Sequence, residues 1–139
     1  MDINKQPGIK VNGIILVSEK FSREPDISSD LKTTVDFDIN LNKIENTDKF
    51  NVILTTSVKG MSEEKEVFNL ECTFVGLFNY INGEENMEMD DFAKHNAPAI
   101  MFPYIREHIS SITQKSGIKP IYLAPINVVA LLSEKESAS

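Results

Sequence analysis

The side chains able to do chemistry are few, and their spacing argues against a catalytic centre. His95 and His108 stand thirteen residues apart, whereas two histidines that share a metal ion on a helix sit four apart. They read as a loop histidine and a helix-surface histidine. Cys72 could be drawn with a distant histidine as a nucleophile and its base, but it falls in the alternating row Phe68, Leu70, Cys72, Phe74. A thiol in such a row is shielded from substrate and titrates late. Glu63, Glu64 and Glu66 crowd one turn and read as a solvated hairpin end. Neither a glycine-rich phosphate loop nor an aromatic basic patch is present. The expectation is no catalytic residue, no metal ligand set and no cofactor.

The elements that would have to position any site are legible as a series of strands. Four segments before residue 82 alternate apolar and polar residues, the period of a strand with one dry face. In the first, about residues 9 to 24, Ile9, Val11, Ile15 and Val17 fall on one side, with Ile14 and Leu16 opposite, so part of it is expected to be covered twice. The second, about 31 to 42, sets Val35, Phe37, Ile39 and Leu41 against Thr34, Asp36, Asp38 and Asn40. The third, about 48 to 60, carries Phe50, Val52, Leu54 and Val58, and the fourth, about 64 to 81, carries Phe68, Leu70, Cys72, Phe74, Phe78 and Tyr80. Short turns join them, so neighbours should pair antiparallel.

Helical spacing begins only after these strands. The acidic loop of residues 83 to 91, with Met87 and Met89 interleaved, leads to Asn96, which reads as an N-cap with Pro98 in the first turn. Met101, Ile105, Ile109 and Ile112 then recur at helical spacing, with Tyr104 and His108 beside them, until Gly117. Pro103 must bend or restart this helix. After an extended connection over 118 to 123, Pro125 can open a short final helix over 126 to 132.

The fold class expected is therefore α+β, one four-stranded antiparallel sheet followed by a long C-terminal helix and a short final helix. A chain of 139 residues makes one domain, 1–139, with disorder expected over about 1–8 and 133–139. Hydrophobic content of 41% and charged content of 25% are ordinary for a soluble domain. A net charge of -7 repels nucleic acid and anionic membranes and would steer in a basic partner. With one cysteine, no secretory h-region and no spanning apolar run, a cytoplasmic location is expected.

The paired segments Phe102-Pro103-Tyr104-Ile105-Arg106-Glu107 and Leu123-Ala124-Pro125-Ile126-Asn127, followed by Ala130-Leu131, resemble the SecB-type protein-export chaperones. The preceding four strands, with Gly76-Leu77-Phe78 near the end of the fourth, extend a weaker likeness over nearly the whole chain. The resemblance implies a protomer that assembles as a dimer of dimers and holds unfolded or non-native polypeptides in apolar grooves without nucleotide. In many bacteria such clients are precursors passed to the motor SecA. Related proteins of this fold serve as dedicated chaperones, for example of toxin-antitoxin systems, and that role stands as one alternative. A small ligand-binding or enzymatic α+β domain is another, disfavoured by the lack of converging polar groups on the apolar faces.

Within that resemblance, the acidic face for SecA would include Glu71 by position and Glu19 more loosely. Asp36 and Asp38 join them because they alternate away from the apolar side. Client contacts are expected at Phe21 and Ile27 around the first crossover, at Met87, Met89 and Phe92 in a flexible approach to the helix, and at Ile126 and Val128. Methionine suits such a surface because its unbranched side chain repacks against varied partners.

Overall fold

Alternation in the first 80 residues becomes four long strands, β1 (Ile9–Arg23), β2 (Lys32–Lys43), β3 (Lys49–Ser62) and β4 (Lys65–Tyr80), in a computed structural model that describes residues 8–27, 30–81 and 88–124. They form one antiparallel sheet in the order β1-β4-β3-β2, so β1 and β2 are its edges. Two helices follow, α1 (Met89–His95) and α2 (Ala97–Lys115). The expected final helix, with Pro125, lies outside the described residues.

The helices cover one sheet face. Phe50, Val52, Leu54 and Val58 of β3 and Phe68, Leu70, Cys72 and Phe78 of β4 are almost fully buried there, with Phe37 of β2. From above, α2 supplies Met101, Ile105 and Ile109, the expected stripe, while Ile112 is half-buried and Thr113 takes the fully buried place beside it. Phe50 and Phe78 stack at 5.5 Å between ring centroids, and Phe92 of α1 meets both edge-on, at 5.8 and 5.0 Å.

Two readings of the sequence change. β1 does not keep one phase, because Asn12 and Val17 are bulge residues without a partner in the β4 register. Each bulge moves the following residues to the opposite face. Ile9, Val11, Ile14, Leu16, Glu19 and Phe21 therefore share the helix side, while Ile15 turns to the outer face. The helical region also starts earlier than Asn96. Met89 and Phe92 belong to α1 rather than to a flexible approach, and Asn96 makes no side-chain cap. The Asn96 N–H donates to the Phe92 carbonyl at 2.9 Å and the Ile100 N–H to the Asn96 carbonyl at 3.1 Å, so helical bonding runs through a bend. Pro98, which has no N–H to give to the preceding turn, accounts for that bend.

Pro103 lies inside α2 on an exposed position, and the helix continues past it to Lys115. Its end follows the expectation at Gly117, whose φ of 77° is left-handed. Ile118 N–H donates to the Thr113 carbonyl at 3.1 Å and Gly117 N–H to the Gln114 carbonyl at 3.2 Å, a Schellman closure. Arg23 of β1 donates from Nη1 to the Ser116 carbonyl, which sets a cation at the negative end of the helix and ties it to the sheet edge. Residues 118 to 124 then return without helix over the core, burying Ile118 and Leu123.

Candidate functional site

Apolar surface that the protomer leaves uncovered gathers on β1. Val11, Ile15, Leu16 and Val17 are 43 to 51% exposed, and Tyr104 on α2 is 49% exposed. At a sheet edge this is costly, since burying the remaining half of each such side chain would stabilise by about 1 kcal/mol, and a long apolar edge invites pairing with another chain. Beside it, Leu16, Phe74, Pro103, Tyr104, Glu107 and His108 line an open cleft of about 460 Å³ between β1 and α2. Pro103, read from the sequence as shaping the helix, and Tyr104, read as lying beside its apolar stripe, form one wall of this cleft.

The outer sheet face carries the acidic groups. Asp36 pairs in register with Ser57, and Ser57 with Glu71, so these three occupy one row across β2, β3 and β4. Asp38, Thr55 and Thr73 form the next row, with the two threonine hydroxyls 3.0 Å apart. Asp36, Asp38 and Glu71 are exposed, as their alternation predicted. Lys20 of β1, however, stands opposite Glu71 and offsets part of its charge.

Glu19 departs from that set. The Val17 bulge turns it to the helix side, where its Oε2 is hydrogen-bonded to His108 Nε2. His108 is correspondingly not a surface histidine: its side chain is 16% exposed and its ring meets Phe74 edge-on at 5.7 Å. His95 ends α1 on an exposed position. Cys72, in register beside Glu19, is fully buried. Burial first, then the charges of Glu19 and Glu71, push its thiol from an ordinary 9.0 to about 12, so it is no nucleophile at neutral pH.

Among the residues expected to touch clients, Phe21, Ile27 and Met89 are half-buried against the core. Phe92 is 3% exposed and belongs to the core itself. Met87, Ile126 and Val128 lie outside the described residues. The two-sided apolar residues of the first strand, expected to be covered twice, are the source of this exposed quartet in the protomer. Among the described residues, no helix is long and apolar enough to cross a membrane.

Comparison with known proteins fits this architecture. Residues 17–139 match the SecB family, described as preprotein translocase subunit SecB. The protein-export protein SecB of Orientia tsutsugamushi (strain Boryong) is 29% identical over 130 residues, covering 93% of this chain and 74% of the relative. That of Rickettsia akari is 32% identical over 100 residues, 72% of this chain and 65% of the relative. In structure, the SecB-like chaperone of Mycobacterium tuberculosis, solved in complex with a ChAD peptide from the HigA1 antitoxin, superposes with a TM-score of 0.75 at 17% identity, covering 84% of this chain and 88% of that one. With the four-stranded antiparallel sheet, the helical layer and the FPYIRE segment on α2, this chain belongs to the SecB family of chaperones.

Proposed function

We propose that this SecB-family chaperone is a cytoplasmic holdase that works without nucleotide, assembles into a homo-oligomer through β1, and binds non-native polypeptide on the apolar surface that assembly leaves open. The exposed quartet Val11, Ile15, Leu16 and Val17, spread over both faces of the β1 edge, carries the reading. A stable monomer has no use for it, since edge strands are normally blunted by charge or cover. Two such edges meeting in a dimer of dimers would satisfy both the apolar side chains and the free backbone groups. Phe21, Ile27 and Met89, half-buried in the protomer, are the described residues proposed to contact clients, together with Met87, Ile126 and Val128. Phe92 was named with them, and its burial makes it a support for the site rather than a contact.

Native mass spectrometry with and without a permanently unfolded client tests this. Oligomers that bind the client are expected, and Ile15→Lys with Val17→Lys should shift the protein to monomers. A wild-type monomer that ignores the unfolded chain would sink the proposal.

Transfer of precursors to SecA is the finer reading. Asp36, Asp38 and Glu71 supply the acidic surface for it, and charge reversal at Asp38 and Glu71 should abolish SecA binding while leaving client capture unchanged. A dedicated role with one partner polypeptide is the second reading, favoured by the inward Glu19 and by Lys20 opposite Glu71, both of which thin that surface. Unchanged SecA affinity after the charge reversal would remove the acidic-face assignment.

A further inference from the structure

Three side chains with metal-ligating atoms meet where β1, β4 and α2 come together. A Glu19 carboxylate oxygen, the Cys72 Sγ and a His108 ring nitrogen lie within 4.8 Å of one another. Tetrahedral zinc, with bonds of about 2.0–2.3 Å, needs ligand atoms roughly 3.3–3.8 Å apart, so side-chain shifts of about an ångström would close the set.

Two further atoms point the same way. Glu19 Oε1 and Thr56 Oγ1 are buried without a hydrogen-bond partner. Both belong to one cross-strand row, Glu19, Cys72, Thr56, in which Thr56 is fully buried and in register opposite Cys72. Orphaned oxygens on either side of a thiol leave a polar pocket inside an otherwise apolar layer, an arrangement that is unfavourable until a partner fills it.

We propose that Glu19, Cys72 and His108 form a binding site for a zinc-class divalent cation that fastens α2 to the β1–β4 edge of the sheet. The donor chemistry selects the ion. One thiolate, one imidazole and one carboxylate suit zinc or cobalt, whereas magnesium and calcium take oxygen throughout. The charges also balance, because a divalent cation with a thiolate, a carboxylate and a neutral imidazole sums to zero in a buried place. His108 borders the open cleft beside Tyr104, which gives the ion an entrance and leaves a fourth position for water. On binding, the Cys72 S–H proton leaves to solvent and the sulfur lone pair forms the metal bond. Glu19 exchanges its hydrogen bond from His108 for a metal bond, and the ring nitrogen that donated it is freed for the ion as its proton leaves to solvent from a charged ring or passes through water to the other nitrogen of a neutral one. Nothing is oxidised or reduced.

The test uses the full chain, zinc alone, and a chromophoric chelator as competitor. One ion per chain is expected, with affinity falling by at least about 100-fold in Cys72→Ala or His108→Phe, since even outer-shell partners of a metal are worth roughly 10–100-fold. His95→Asn should keep the ion. Cobalt in place of zinc should give tetrahedral visible bands and a thiolate charge-transfer band, which needs no variant to fold. A cobalt spectrum without the thiolate band, no ion held against the chelator, or one held equally well by Cys72→Ala would each overturn the site.

Discussion

The ring of Phe68 in β4 lies directly over the backbone of Gly60 in β3, its register partner. A methyl at position 60 would stand 2.9 Å from Cζ and closer still to Cδ1 and Cε1. Phe68 is 1% exposed and cannot swing into solvent without opening the core. Gly60→Ala should therefore cost about 1–3 kcal/mol, the usual penalty of overpacking. Urea denaturation would show it as a lower midpoint at an unchanged slope.

Relief of strain is available at the β3–β4 hairpin. Glu63 and Glu64 have φ of 51° and 64°, and Ser62 pairs with Lys65 around them, the form of a type I′ turn. That turn prefers Asn-Gly, because an L side chain in the left-handed region costs about 1–2 kcal/mol. The double change Glu63→Asn, Glu64→Gly should raise stability by about 1 kcal/mol, after the entropy that Gly adds to the unfolded chain. Chemical denaturation checks the sign.

Phe92 and Met89 separate support from contact on the same short helix. Phe92→Ala removes a ring packed against Phe50 and Phe78 and should cost about 3–5 kcal/mol of stability. Met89→Ala should cost under about 1.5 kcal/mol, because the side chain is only half-buried, and should show its effect in client affinity instead. Paired measurements of unfolding and of binding to an unfolded peptide would resolve the two; equal stability losses would remove the distinction.

The buried thiol gives a pH signature in metal-free, chelator-treated protein. Cys72 titrates near 12 when folded and near 9.0 otherwise. Between those values the unfolded chain has released the proton and the folded chain has not, so stability falls as pH rises through that window and is unaffected by this group below it. Cys72→Val should flatten that part of the curve relative to wild type. Alkylation at pH 8 should likewise be much slower in the folded protein than in urea.

Much of the fold was legible because two signals were strong. Alternation over long strands located all four to within a few residues, and Gly117 marked the end of α2. What was lost depended on interactions that alternation does not encode. Gly13 stands beside the bulge at Asn12, but the bulge at Val17 reverses the phase of β1 with no glycine or proline next to it. Met89 and Phe92 form a helix because Phe92 finds an aromatic slot between Phe50 and Phe78, which exists only once β3 and β4 have paired. Glu19, Cys72 and His108 come from three distant elements, and no spacing joins them. The FPYIRE and LAPIN segments identified the family, but the face on which each exposed apolar residue of β1 lies depends on which side of a bulge it falls.

Because Val17 interrupts β1 while Leu16 and Ser18 keep consecutive partners in β4, Phe74 and Thr73, the strand tolerates a change of length there better than a change of type elsewhere. Deleting Val17 would leave every other pairing in place and straighten a regular ladder, so the shortened chain should fold with a stability within about 1 kcal/mol of wild type, the range of ordinary surface changes. Removing Ile39 or Leu41 from β2 instead, whose ladder with β3 carries no spare residue, would force the flanking segment to slip by one residue and carry its side chains through the sheet. Calorimetry on the three single-residue deletions would rank them, and the ranking makes β1 a strand in which register is kept by a spare residue.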